Sequence, residues 1–346
     1  MDEASALLRL LRPYSPTGRE AGAVREFVRL ARELGYAVRV DAAGNGRARR
    51  GSGAPRILFL GHIDTVPGRR PVRRARGRVY GRGAVDAKGA LAAALLAGAA
   101  FTGPGTLEVV ASVGEETDSR GARHLLGRRD VHAVIAGEPS RWDGVTVGYK
   151  GDLRLEAVFR GRRTHYSSPQ PTTADVALDW VGAVRAWAAS RRGDSPFRSL
   201  SMKVVRYGSR GTGDEESVDV TLDLRLPPGT STAALLKELP REPGSPRVRA
   251  SVRIEPIEEG RTSPVVRALE AGVRAAGGTP TLWRKGGTSD WNLVAPAWKV
   301  PGAAYGPGDP HLDHTAHESV PEADLRRAVV VLRTAFTELA KSLAGA

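Results

Sequence analysis

The 346-residue chain has no cysteine, which excludes disulfides, thiolate nucleophiles and thiolate metal sites and leaves nitrogen and oxygen as the only metal ligands. Long hydrophobic runs are also missing. The longest, Ala90 to Phe101, is Ala-rich and too short to span a bilayer. Nor does a basic start lead into a secretory apolar segment, because Met1-Asp2-Glu3 is acidic and runs straight into an amphipathic pattern. A cytoplasmic protein without membrane association is the expectation. Lysine is scarce, seven of 52 basic residues, so the formal net charge of +14 is carried by arginine scattered along the whole chain. That charge invites a nucleic-acid reading. The one dense cluster, Arg69, Arg70, Arg73, Arg74, Arg76, Arg78 and Arg82, has a single aromatic neighbour, Tyr80, and hence no stacking platform. It reads either as solvated surface or as an electropositive landing patch for an acidic partner.

With 41% hydrophobic residues and Gly and Pro spread throughout, the chain reads as globular, and its length suits two domains. Thr17-Gly18-Arg19-Glu20 has the form of a capping box, opening a helix with apolar residues at Val24, Phe27, Val28, Ala31 and Leu34 that stops at Gly35. A strand is expected at 36–40. Arg56 to Leu60, Leu107 to Val113 and Ala133 to Ala136 are apolar runs suited to strands buried on both faces of a mainly parallel sheet. Helices are expected between them, over 88–100 and 119–126. After Lys150-Gly151 the pattern changes: Val218, Val220, Leu222, Leu224 and Leu226 alternate with Asp219, Thr221, Asp223 and Arg225, the mark of a sheet with one wet face. The expectation is an α/β domain formed by 1–149 and 262–346, its mainly parallel sheet flanked by helices on both faces. A smaller α+β domain, 150–261, is inserted into it, with helices near 173–191 and 232–239. Helices are expected again over 263–276 and 321–343.

The chemistry-bearing residues stand where buried strands end, the usual place for sites in open α/β sheets. His62 and Asp64 follow the Leu60 strand on one side of it, so the carboxylate can orient the imidazole; a satisfied polar pair is the plainer reading of such a spacing. Asp86 lies between glycines at a strand-to-helix turn, suited to bridging two cations or to capping the Ala-rich helix. Glu115 and Glu116 end the Val113 strand as adjacent carboxylates, which resist joint ionisation unless a positive charge lies near. One can ligate while the other faces the substrate water as general base. Glu138 repeats the device after Ala136. His311, His314 and His317 place three of the seven histidines in one loop, a better account of which is a metal ligand than surface solubility. Gly286 to Asp290 is a Gly-rich turn of a kind that cradles carboxylate or phosphate.

Read in order, these motifs resemble the dizinc aminoacylase, carboxypeptidase and desuccinylase family of metallopeptidases, which includes acetylornithine deacetylase and succinyl-diaminopimelate desuccinylase. The resemblance runs from His62 to Glu318. It implies a zinc-peptidase-like catalytic domain with an inserted lid and dimerisation domain, a homodimer, and two divalent cations, Zn2+ with Co2+ as the alternative. It implies His62, Asp86, Glu116, Glu138 and His314 as metal ligands, with Asp86 bridging, and His317 as the residue that exchanges roles with His314 if the alignment shifts. Glu115 is implied as general base, Asp64 as the partner of His62, and His165, in Gly161-Arg162-Arg163-Thr164-His165, as the donor that reaches across to the partner subunit's site and stabilises the oxyanion. Arg225, Thr288 and Ser289 resemble parts that grip the substrate carboxylate. A cis peptide after Asp86 is implied too. Within the family, the segments 61–68, 147–151 and 306–310 most resemble hydrolases that release lysine or ornithine from the glutamate side chain of an acidic amino-group carrier protein. The other readings are an N-acyl amino acid deacylase or dipeptidase of the same family, and a basic nucleic-acid-binding protein without catalysis.

Overall fold

The computed structural model describes residues 1–165 and 167–345. The chain divides into two compact units, one made of Met1–Gly148, Glu259–Arg284 and Ser289 onward, the other of Tyr149–Glu258 with Lys285–Thr288. The second unit thus takes up a short return segment that the sequence reading, with its single insertion at 150–261, had left in the larger domain.

In the larger unit the main sheet runs in the order Ala37–Val40, Gly46–Gly51, Thr106–Ser112, Arg56–His62, Ala133–Gly137, Gly302–Ala304, Gly144–Tyr149. The strands from Thr106–Ser112 to Gly302–Ala304 pair in parallel, and those outside them pair antiparallel. Alternate residues serve opposite layers. Ile57, Phe59, Leu107, Val109, Ala133 and Ile135 join the core formed with helices Glu3–Leu11, Ala21–Glu33, Lys88–Ala99, Pro264–Ala275 and Glu322–Ala344. Leu58, Leu60, Val110, Val134 and Ala136 are equally buried but lie outside that core, on the side where helices Arg120–Leu125 and Trp291–Trp298 pack. Burial on both faces is why these strands read as unbroken apolar runs. Helix Lys88–Ala99 is buried almost all round, which its Ala-rich, unstriped sequence permits.

The register decides where the site falls. His62 pairs with Ser112 and Gly61 with Gly137, so the residues that follow three parallel strands emerge along one edge. Gly114 makes the turn after Ser112 at φ +79, a conformation that costs side-chain-bearing residues. A small sheet of Ser319–Pro321, Arg78–Tyr80 and Arg73–Ala75 ties the arginine-rich segment to the chain's last strand. Among the described residues no helix is long and apolar enough to cross a membrane.

The expected capping box at Thr17 does not form. Helix Ala21–Glu33 starts after Glu20 without a side-chain cap; the Thr17 hydroxyl donates instead to Asp64 (2.7 Å), and Glu20 accepts from Arg120 (2.5 Å). Tertiary partners with full charges outcompete a local cap worth about 1 kcal/mol.

The smaller unit is a four-stranded antiparallel sheet ordered Ser201–Thr212, Glu215–Leu226, Gly151–Arg162, Arg247–Ile254. Its apolar face packs Leu153, Leu155, Val220 and Leu222 against helices Thr173–Ala189 and Thr232–Glu238. Trp180, wholly buried, meets Phe159 edge-on at 5.6 Å and donates its indole N–H to Pro240 O. Helix Thr173–Ala189 does carry a capping box, Thr172 with Asp175.

Candidate metal centre

In the larger unit two groups of donor atoms converge, His62, Asp86 and Glu138 in one and Asp86, Glu116 and His314 in the other, each with its atoms within 4.8 Å of one another. Asp86 belongs to both and divides its oxygens between them: Oδ1 lies 3.0 Å from His62 Nε2, and Oδ2 lies 2.9 Å from His314 Nε2. Glu116 Oε1 approaches the same His314 nitrogen at 3.2 Å. A carboxylate shared in this way has the geometry required of a bridge between two cations. The five residues come from the ends of strands Arg56–His62, Thr106–Ser112 and Ala133–Gly137, from the turn before helix Lys88–Ala99, and from the His-rich loop. The peptide after Asp86 is cis, as the resemblance implied.

His314 reaches the cluster from a backbone at φ +60, a region histidine enters more readily than bulky or β-branched residues and one that concentrates at functional sites. His317 and His311 do not join it: His317 is exposed, and His311 Nδ1 pairs with Asp309 at 2.8 Å. Glu318 anchors the turn that carries Asp86. Its Oε1 accepts from the backbone N–H of Val85 and Asp86, and its Oε2 from Arg82 at 2.8 Å.

The role expected of Asp64 requires correction. His62 Nδ1 lies 3.0 Å from the Asp64 backbone oxygen, while the nearest carboxylate oxygen is 3.7 Å away. The carbonyl therefore orients the imidazole. The Asp64 carboxylate, wholly buried, accepts from the backbone N–H of Glu115 and Glu116 (both 3.2 Å) and from Thr17. It fixes the loop bearing the general-base candidate and one ligand. Hydrogen bonds to a charged group contribute about 1.5–3 kcal/mol each, more than an imidazole that already has a carbonyl would gain.

The electrostatics suit cations. Burial is the largest influence on His62 and disfavours its charge, yet the hydrogen bond it donates to Asp86 and the charges of Asp86, Glu115 and Glu138 raise its pKa well above the usual value. Hydrogen bonds to Asp86 and Glu116 push His314 up to about 10. Glu115 is driven upward by burial first, then by Glu138, Asp290 and Asp86. Carboxylates thus outnumber the positive groups in this cluster, and the upward direction of both imidazoles reflects a field that favours positive charge there. Neutral imidazole and ionised carboxylate form a donor set suited to zinc or cobalt. The residues fit the metals.

Asp290 is the participant that the sequence reading passed over. Only 3% exposed, it lies beside the Ser112 and Ser119 hydroxyls and is pushed up to about 6, chiefly by burial. Its place at the end of the Gly-rich turn was the one available signal. Next to it the Ser289 hydroxyl is buried without a hydrogen-bond partner, and the Ser289 N–H donates to Asn292 Oδ1. Thr288, half-buried, falls in the smaller unit.

The remaining candidates also belong to the smaller unit. His165 is exposed on the loop after strand Gly151–Arg162, with Nδ1 2.7 Å from Ser167 Oγ. Arg225 stands on the wet face of its sheet and donates to both oxygens of Asp223, at 2.8 and 3.1 Å, with Asp152 at 3.6 Å.

A family model described as Peptidase family M20/M25/M40 matches residues 58–338. A LysW-lysine hydrolase from Deinococcus radiodurans is 38% identical over 341 residues, covering 92% of each chain. A LysW-lysine/LysW-ornithine hydrolase from Sulfurisphaera tokodaii is 30% identical, covering 96% of this chain and 94% of its own. Among solved structures, an M20 family metallo-carboxypeptidase from Sulfolobus solfataricus superposes with a TM-score of 0.81 at 16% identity, covering 99% of this chain and 100% of its own; that likeness speaks for the fold alone. The match over most of the chain, together with near-full-length relatives at 30% identity and above, makes this hydrolase a member of peptidase family M20/M25/M40.

Proposed function

We propose that this hydrolase releases lysine, ornithine or both from a carrier protein to which the amino acid is joined through an amide, acting in the cytoplasm within lysine or arginine biosynthesis. The observation that carries the reading is the sharing of Asp86 between two ligand groups, joined with the names borne by full-length relatives. His62 and Glu138 would hold one cation, Glu116 and His314 the other, with Asp86 between them. Zinc or cobalt held there would supply the positive field that polarises the amide carbonyl and eases deprotonation of water. Glu115 takes the proton of the attacking water and passes it to the departing amine, a role suited to a carboxylate whose pKa burial has already raised. Asp64 keeps Glu115 in place through its backbone N–H. His165 of one copy, its Nδ1 engaged by Ser167, offers Nε2 to the oxyanion that develops in the site of the partner copy. Ser289, with its unpartnered buried hydroxyl, and Thr288 and Arg225 receive the carboxylate of the amino acid that leaves. The smaller unit is proposed to pair two copies into a homodimer.

The test is to purify the protein with its metals quantified and to compare release of lysine from carrier-linked substrate with release from N-acetyl-lysine and from a dipeptide. Two zinc or cobalt ions per chain and preference for the carrier-linked amide are expected. Faster turnover of acetylated amino acids would make it a general deacylase instead.

A further inference from the structure

Segment 15–20 runs beside the residues that follow strand Arg56–His62. Ser15 Oγ donates to Ile63 O at 2.8 Å, Thr65 N–H to Ser15 O at 3.0 Å and Thr17 N–H to Thr65 O at 3.3 Å, so Pro16 and Thr65 form a parallel bridge. Lys88, buried, donates to Ser15 Oγ at 2.8 Å. Gly18, at φ +88, then turns the chain toward helix Ala21–Glu33, in a conformation that costs residues with a side chain. The backbone around Thr17 is thus fixed independently of what its hydroxyl does.

Two side chains of this segment reach the loop that bears Glu115, one toward each end of it. Thr17 Oγ1 donates to Asp64 Oδ2 at 2.7 Å, and Asp64 accepts in turn from the N–H groups of Glu115 and Glu116. Glu20, 5% exposed, accepts at 2.5 Å from Arg120, the first residue of the helix that follows the loop. Between those points the N–H groups of Thr117, Asp118 and Ser119 all turn onto Gly114 O, which leaves the loop's front to Asp64. Among the described residues Thr17 is the donor to that carboxylate from outside the loop. Without its hydroxyl, Asp64 keeps only bonds to the loop it is meant to hold.

The two glutamates depend on this clamp unequally. Glu116 stands in a ligand group with Asp86 and His314, so a cation bound there would hold its carboxylate directly. Glu115 belongs to neither group, and its carboxylate makes no hydrogen bond or ion pair among the described residues. Its placement is therefore set by its backbone. A reacting group misplaced by about 1 Å can cost on the order of 10²-fold in rate, so slack in the loop should be felt in turnover before it is felt in metal binding.

We propose that Thr17 and Glu20 are positioning residues for the hydrolysis, clamping loop 113–120 toward its two ends so that the Glu115 carboxylate is presented to the attacking water. The proposal rests on the assignment of Glu115 as general base above. The experiment compares the wild-type holoenzyme with Thr17→Val, which keeps the branched shape and removes the hydroxyl, and with Thr17→Ser, which keeps the donor. On the amide that the enzyme turns over fastest, Thr17→Val is expected to lower kcat about tenfold with KM and metal content at the wild-type level. Hydrogen exchange at the amides of residues 115 and 116 is expected to quicken about tenfold in the same metal-loaded variant. Thr17→Ser is expected to bring both readings back to within about threefold of wild type. Glu20→Gln weakens the other end by removing a charge and keeping an acceptor; it is expected to lower kcat about threefold, and it gives the reading if Thr17→Val does not fold. Wild-type kcat and wild-type exchange in Thr17→Val and Glu20→Gln overturn the proposal. So does loss of bound metal in Thr17→Val, or a fall in Thr17→Ser as large as that in Thr17→Val, since each marks a general structural role. Wild-type kcat in Glu115→Gln rejects the general-base assignment instead, with amide exchange still reporting the clamp.

Discussion

In the larger unit, His62, Asp86, Glu116, Glu138 and His314 come from separate stretches of chain and turn their donor atoms toward two shared centres, whereas in the smaller unit Arg225 and His165 bond chiefly to residues two positions away. His62, Glu116 and Glu138 stand at or just past the ends of strands buried on both faces, where the sheet sets the backbone, and Asp86 and His314 meet them from the turn before helix Lys88–Ala99 and from the His-rich loop. The smaller unit's residues sit on an open sheet face and an exposed loop, where local partners are within easy reach. Convergence of polar groups against the solvation they give up is costly unless something is gained by it. A cluster of that kind therefore marks function more strongly than a polar residue on a wet surface does.

That contrast can be broken by substitution. Glu115→Gln should reduce kcat about 10³-fold while metal content, measured by elemental analysis, stays at the wild-type value, because the amide keeps the shape of the side chain and removes only the base. Wild-type turnover in that variant would move the general base elsewhere and weaken the case for the cluster. His165→Ala should reduce kcat about 10²-fold with little change in KM; an unaltered kcat would leave the smaller unit without a part in the chemistry and sharpen the division between the two. The smallest effect is expected for Arg225→Ala, a rise in KM of about threefold, since a guanidinium that exchanges Asp223 for a substrate carboxylate gains little net. A loss of tenfold or more would show that the exposed face matters as much as the buried cluster.

Much of the site was legible because strand burial and strand ends are written in one place. Apolar runs such as Ile57 to Leu60 end in Gly61 and His62, and the polar residue that breaks the run is by position at the sheet's edge. The Gly-rich turn around Asp86 and the His-rich loop stood out by composition. What was not legible had no local signature. Strand Gly46–Gly51, Gly-Arg-Ala-Arg-Arg-Gly, carries almost no apolar pattern and is a strand because Thr106–Ser112 pairs with it. Thr17 looked like a helix cap, yet its hydroxyl serves Asp64, 47 residues away. Asp64 looked like the partner of His62 at a spacing of two; a backbone carbonyl fills that position, and the freed carboxylate holds Glu115 and Glu116.

By itself, the sequence determined which residues were available: cation ligands limited to nitrogen and oxygen, acids and histidines at the ends of buried strands, and an arginine-rich segment with few acids inside it. Those follow from composition and from the period of the backbone, which act over a few residues. The resemblance already implied that Asp86 bridges and that His314 is the ligand, and the tertiary structure brings their donor atoms together; it alone decided that the Asp64 carbonyl meets His62 while the Asp64 carboxylate holds Glu115 and Glu116. Such choices depend on register and packing between segments far apart in the chain, where a shift of one residue reverses the face a side chain presents.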